Sequence, residues 1–398
     1  MDILNAKLEV IKAGERLVES GLIARTWGNV SCRVDADTFV ITPSGKPYIG
    51  LTADDIVEVK IADLFWSGDV KPSSEKGVHA EVYKIHPEAN FVIHTHQKAA
   101  SAVSVLKTGV NAVFGESAEI IGDGVLIGSY GLPGTKKLKK GVIGALKESN
   151  SKAVIMAHHG ALCFGKDSEE AFAVASELEK ISLEYLFDGL RDKFDTVVSD
   201  IGGLCDCIVE RLSACENTKP DGTLLYNSEC DRNKGEITFT CVGNGEKAVM
   251  NLTTGESDAP VSAFARAHRD IYLSNPDFRN ILHNADDEVT AVSIIGRKMK
   301  PRLDDFAQIC GTRVKVAKSC EKIVKKIKGK NAVLVKNSGA LCCGKNGGDA
   351  EAVDMIMSKS ALAELASYIY TASKVINPIE SILMRLIYLK KYSKQAEK

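Results

Sequence analysis

Two histidines spaced two apart, His94 and His96, close the segment Asn90-Phe91-Val92-Ile93-His94-Thr95-His96. The apolar run predicts a buried strand, and residues two apart on a strand share a face, so the imidazoles stand side by side. A second short apolar run, Val154-Ile155-Met156-Ala157, ends in His158-His159-Gly160. Upstream, Glu75 follows Pro72-Ser73-Ser74, where a helix is expected to open. Three histidines and one carboxylate suit a divalent cation such as zinc, with a position left for a substrate oxygen. The expectation is a metal enzyme.

The elements that must position these groups are legible from periodicity. Residues 2–20 read as an amphipathic helix, with Ile3, Leu4, Leu8, Ile11 and Leu17 near helical spacing. Short strands at 29–34, 38–42 and 56–60 follow, separated by Gly and Pro turns. A helix over 76–85 ends at Pro87. Asp167-Ser168 caps a long helix reaching about 186. Early strands joined by short turns, with helices after them, predict an antiparallel sheet covered by helices. The tail from Lys390 is polar and is expected to fray.

The chain also resembles itself. Ala161-Leu162-Cys163-Phe164-Gly165-Lys166 returns as Ala340-Leu341-Cys342-Cys343-Gly344-Lys345, each time after a short apolar strand. His79, Tyr83, Pro87 and His94 return as His268, Tyr272, Pro276 and His283. Two copies of one α/β module follow, joined between Asp195 and Cys215. Where chemistry sits, the copies differ: Glu75 aligns with Phe264, His96 with Ala285 and His159 with Ser338. His283 alone answers to the ligand set, and one imidazole cannot hold a catalytic cation.

The 398-residue length favours two domains. A formal net charge of -1 provides no field to recruit nucleic acid or an anionic membrane. The basic runs at 136–140 and 322–330 have acidic residues nearby and read as solvated helix faces. No apolar run reaches the roughly 18 residues of a membrane helix, and the first residues lack the pattern of a secretory signal. Eleven cysteines without a Cys-x-x-Cys pair predict buried, reduced thiols and a cytoplasmic protein.

Five motifs occur in order: Trp27-Gly28-Asn29-Val30-Ser31, Ile41-Thr42-Pro43-Ser44-Gly45, Pro72-Ser73-Ser74-Glu75, His94-Thr95-His96 and His159-Gly160. Together they resemble the class II aldolase/adducin family, which includes L-fuculose- and L-rhamnulose-1-phosphate aldolases and L-ribulose-5-phosphate 4-epimerases. The resemblance implies an α/β fold, an α/β/α sandwich on a mainly antiparallel central sheet. It would occur as two tandem copies, residues 1–198 with the metal and 199–398 degenerate and without it. The resemblance further implies Zn2+, or Mn2+ or Co2+, on His94, His96, His159 and Glu75, with Glu75 able to leave the metal and act as the catalytic acid/base. His159 is preferred over His158 because it directly precedes glycine, as in the family. A substrate phosphate would lie at Gly28, Asn29, Ser44, Gly45, Ser73 and Ser74. Family sites lie between subunits of a four-fold ring, so the chain is expected as a homo-oligomer, a dimer forming a pseudo-tetramer.

The chemistry of the residues agrees with the phosphate cradle. Glycines beside Asn or Ser let backbone N–H groups approach an anion, and Ser73-Ser74 precede a helix N-terminus. The expected activity is retro-aldol cleavage of a ketose phosphate through a metal-stabilised enediolate. The alternatives are a 4-epimerase or dehydratase of the same family, or a non-catalytic adducin-like interaction protein. The tyrosine that such aldolases place before the turn at Gly134-Thr135 is missing between Asn111 and Gly128, where Phe114, Glu116, Glu119 and Asp123 are what is present.

Overall fold

The computed structural model describes residues 1–23, 27–213 and 224–392. Part of the junction expected between Asp195 and Cys215 lies outside them, as does the part beyond residue 392 of the tail expected to fray from Lys390. The chain divides into two compact units. One holds Met1–Gly189 with Ile369–Lys374 and Ile387–Lys398, the other Leu190–Tyr368 with Val375–Leu386. The break falls upstream of the 198/199 boundary read from the repeat.

In the first unit the strands are β1 (Asn29–Arg33), β2 (Thr38–Ile41), β3 (Val57–Lys60), β4 (Phe91–Thr95), β5 (Ile127–Gly128), β6 (Ala153–Met156) and β7 (Gly160–Gly165). They form one sheet in the order β3-β2-β1-β4-β7-β6-β5. The second unit repeats this with β8 (Tyr226–Asp231), β9 (Glu236–Cys241), β10 (Lys247–Asn251), β11 (Asn280–Asn284), β12 (Val316–Ala317), β13 (Ala332–Val335) and β14 (Ala340–Gly344). Its order is β10-β9-β8-β11-β14-β13-β12. All neighbours are antiparallel except β5 with β6 and β12 with β13. The protein is therefore α/β, with two tandem sheets of the same topology.

Helix α1 (Ile3–Glu19) starts at Asp2, whose carboxylate accepts from Asn5 N at 3.2 Å, and buries Ala6, Val10, Ala13 and Leu17 at helical spacing. Helices α2 (Lys76–Ile85) and α3 (Lys136–Glu148) cover one sheet face. There Val78, Val82, Leu138 and Val142 pack on Phe39, Ile41, Val92 and Phe164. Each such side chain, fully buried, contributes roughly 1.5–3 kcal/mol. The alternate residues Val30, Val40 and Ile93 turn to the other face. Helix α4 (Ser168–Phe194) runs past the expected end near 186, because Leu186 and Leu190 prolong its buried stripe. Helix α5 (Ala263–Ser274) repeats α2 in the second copy. No disulfide links the described cysteines.

Candidate metal centre

The register of the sheet sets the site. On β4, His94 lies opposite Asn29 of β1 and Leu162 of β7. It shares a face with Val92, so its ring turns toward the α2 side, where Glu75 caps the helix start. His96 follows one residue beyond β4. His159 arrives through the tight β6–β7 turn, in which His159 N donates to Met156 O at 3.0 Å. The ring nitrogens offered by His94, His96 and His159 lie within 4.8 Å of one another, and all three residues are buried. Among the described residues this is the one group of three or more such ligands.

Glu75 spans the group. Its Oε1 lies 2.9 Å from His159 Nε2, and its Oε2 lies 3.1 Å from His94 Nε2. On the other side of the His94 ring, Nδ1–H donates to the Ala161 carbonyl at 2.8 Å. A carbonyl can only accept, so the proton of a neutral His94 sits on Nδ1, and Nε2 presents a lone pair to a carboxylate oxygen. Two acceptors at that distance repel unless positive charge lies between them. The donor set therefore fits a cation bound by imidazole and carboxylate. Burial alone would raise the Glu75 carboxyl, but positive charge on His94 and His159, and after them on His96, holds it well below the usual carboxylate range.

His158 and His159 do not lie in a strand, so strand alternation does not separate them. Instead His158 has φ +62, a left-handed backbone that swings its ring against Tyr130 at 5.2 Å and leaves His159 to join the cluster. Gly160 must be glycine, since a Cβ there would meet Thr95 O at 2.2 Å. Gly28 is under the same constraint: its φ is +81, and a Cβ would lie 2.5 Å from His94 O.

Behind Glu75 runs a buried relay. Asn29 Nδ2 donates to Glu75 Oε2 at 3.1 Å, and Asn29 Oδ1 accepts from His79 Nε2–H at 2.5 Å. His79 Nδ1 then accepts from Ser31 Oγ–H at 2.7 Å, and Ser31 accepts from Tyr83 Oη–H at 2.7 Å. Burial first, then His94, push the His79 imidazole down to about 3, so it stays neutral within this chain. His79 thus reaches Glu75 through Asn29 and makes no direct bond to it.

The residues expected at a phosphate come together on three adjoining segments. Thr42 N donates to Val30 O at 3.1 Å, Ser73 N to Thr42 O at 3.0 Å, and Ser44 N to Lys71 O at 2.9 Å. These bonds set Gly28-Asn29, Ser44-Gly45 and Ser73-Ser74 side by side. Gly45 has φ +76, Ser44 is half-buried and Ser74 is exposed. The Ser73 hydroxyl accepts from Glu75 N at 3.2 Å, and the Asn29 amide is engaged by Glu75 and His79. Backbone N–H groups and the Ser74 hydroxyl are what these segments can turn to an anion.

Ser31 closes the first motif and Tyr83 belongs to the repeat, but the sequence assigns neither a part in the site, and Tyr48 carries no motif of its own. Tyr48 donates to Gly28 O at 2.8 Å and holds the glycine loop from behind. Ser31 and Tyr83 could have been found through the repeat, because the His79/Tyr83 spacing returns as His268/Tyr272. The ring of Trp27 lies 6.4 Å from that of His96.

The family profile described as Class II Aldolase and Adducin N-terminal domain matches residues 8–186 and again 229–366. The chain belongs to this family. Its relatives include an L-fuculose phosphate aldolase of Escherichia coli, 34% identical over 178 residues, covering 45% of this chain and 81% of the relative. A 5-methylthioribulose-1-phosphate/5-deoxyribulose-1-phosphate aldolase of Rhodospirillum rubrum is 31% identical over 176 residues, 44% of this chain and 78% of its own. A solved L-fuculose 1-phosphate aldolase aligns with a TM-score of 0.44 and 27% identity, covering 50% of this chain and 92% of that one. The second match makes both copies members of one family, although among the described residues only the first carries the cluster of imidazoles. No described helix is long and apolar enough to cross a membrane.

Proposed function

We propose that the chain is a divalent-metal-dependent aldolase that cleaves a ketose 1-phosphate. The observation that carries this reading is the convergence of His94, His96 and His159 with Glu75 laid across two of them. The relatives named for L-fuculose phosphate and 5-methylthioribulose-1-phosphate support a phosphorylated ketose as substrate. The three imidazoles and Glu75 would hold Zn2+ or a similar cation, Mn2+ or Co2+. When bound, that ion supplies Lewis acidity toward the carbonyl and neighbouring hydroxyl of the substrate.

The chain's own residues do the rest. Glu75, kept ionised by its neighbours, moves the proton on the carbon beside the carbonyl. Asn29 fixes one Glu75 oxygen, and the relay to Tyr83 fixes Asn29. Gly28-Asn29, Ser44-Gly45 and Ser73-Ser74 hold the phosphate through the backbone N–H groups not already engaged and the exposed Ser74 hydroxyl, at the start of α2. The same reading places the protein in the cytoplasm as a dimer of chains, for which the sedimentation mass is the check.

The test is a panel of ketose 1-phosphates given to the zinc-loaded chain, with dihydroxyacetone phosphate and the aldehyde quantified. Cleavage should vanish on chelation and return with the metal, and solvent deuterium should enter the dihydroxyacetone phosphate. Full activity after chelation, or an epimer as the sole product, would end the proposal.

A further inference from the structure

The second copy carries a basic cleft. Lys298, Arg313, Lys315, Lys318, Lys326 and Lys336 line a volume of about 840 Å³, and the rest of its wall is aliphatic or glycine. None of the six makes an ion pair among the described residues. Lys336 is tied only to the carbonyl of Ile294. The positive density reaches the neighbouring Lys330, whose ammonium is lowered by burial and then by Arg385, Arg313 and Lys315. In a chain of net charge -1, this is a local concentration of one sign. Such a cleft focuses field and concentrates anions.

Its place in the sheet is informative. Lys318 directly follows β12 and Lys336 directly follows β13, and these strands are parallel, with Val316 opposite Leu334. The crevice beyond the carboxyl ends of neighbouring parallel strands is where open α/β sheets take ligands. In the first copy the matching parallel pair is followed by Ser129 and Ala157, which carry no charge. At these two positions the cations are the second copy's own.

We propose that this cleft binds a small polyanion bearing two or more phosphate groups, at a site separate from the metal centre. One phosphate brings about two negative charges, so a single group would leave most of the six cations unanswered. The volume falls within the ~300–1,000 Å³ typical of small-molecule sites. The wall lacks the aromatic platforms on which single-stranded nucleic acid stacks.

Inorganic tripolyphosphate titrated into the full, metal-free chain at low salt provides the test, with orthophosphate and a single-stranded RNA in parallel. One tripolyphosphate per chain is expected, bound at least about tenfold more tightly than orthophosphate, with affinity falling as salt rises. Lys315→Glu combined with Lys318→Glu should weaken it about a hundredfold, while His94→Ala leaves it unchanged. Lysine acylation read by mass spectrometry gives a second measurement on the unaltered chain, with tripolyphosphate protecting Lys298, Lys315, Lys318 and Lys326. Any of four results overturns the proposal: no saturable binding, binding indifferent to the double reversal, RNA bound more tightly than tripolyphosphate, or no protection of those lysines.

Discussion

Ser31 and Ser228 hold the same position in the two copies, each joining a histidine and a tyrosine from the helix above. Ser31 meets His79 and Tyr83 at 2.7 Å each, and Ser228 meets His268 and Tyr272 at 2.8 and 2.9 Å. Beyond that trio the copies part. In the first, His79 passes on through Asn29 to Glu75. In the second, Tyr226 stands where Asn29 would, Phe264 stands where Glu75 would, and His268 Nε2 is buried with no partner. Phe264 packs edge-on against His283 at 4.8 Å. His283 has also turned its chemistry around, because its Nε2–H donates to Ser338 O at 2.5 Å. His94 bonds a different carbonyl, Ala161 O, and does so through Nδ1, which leaves Nε2 for the centre. Removing one member of a buried polar trio strands the others at about 1–3 kcal/mol, so the trio outlasts its function. Ligands without a cation have no such protection.

Changes at the imidazoles should widen that contrast most. His159→Ala is expected to lower metal affinity about a hundredfold or more and to take cleavage to background; one metal per chain should fall to none by elemental analysis. A second stoichiometric metal in the unaltered chain would break the contrast outright. Glu75→Gln should keep metal better than His159→Ala yet slow deuterium exchange about 10²–10⁴-fold. Ser31→Ala and Ser228→Ala should each cost about 1–3 kcal/mol in denaturant melts. Only Ser31→Ala should also reduce turnover, and equal effects on turnover would erase the difference between the copies.

Acid offers a subtler probe. Burial pushes the second copy's His268 down to about 3 and His283 down to about 4, from an ordinary 6.5. Above pH 6.5 the rings are neutral folded and unfolded alike, so their contribution to stability is fully present. As pH falls below 6.5 the unfolded chain takes up protons that the folded rings refuse, and that contribution is lost down to about 4 and about 3. His283→Leu should flatten the dependence of the unfolding midpoint on pH in this window, and an unchanged slope would sink the assignment. Least of all, a swap at the β6–β7 and β13–β14 turns compares His158 and Asn337, both at φ +62. Asn, whose short polar side chain can hydrogen-bond locally, tolerates the left-handed region better. His158→Asn should therefore gain, and Asn337→His lose, up to about 1 kcal/mol, with turnover unaffected, as thermal melts and assays would show.

Much of the fold and the ligand set could be read directly, for identifiable reasons. Period-two spacing on β4 placed His94 and His96 on one side, and self-comparison exposed the second copy with its emptied positions. Asn29 and Ser31 were marked by their motif, but their bonds to Glu75 and His79 were not, because a polar residue inside a short apolar strand announces neither its partner nor its direction. The separation of His158 from His159 depends on one left-handed residue, which a strand pattern cannot foresee. The basic cleft escaped for another reason. Of its six cations only Lys326 lies in a run read as a solvated face, the others stand singly along the chain, and the parallel strand ends help bring them to one wall.

The amino-acid sequence by itself determined the family, the doubled α/β frame, and which residues of the first copy are chemically able to bind a cation. Periodicity, glycine placement and repetition are local, so they survive in one dimension. Tertiary structure alone decided which nitrogen of His94 faces Glu75, what holds Glu75 still, and why His283 is no ligand. Those outcomes rest on bonds of about 3 Å between residues 46 to 84 positions apart, such as Asn29 with Glu75 and Glu75 with His159. The direction of such a bond is fixed by where a carbonyl or carboxylate ends up in space.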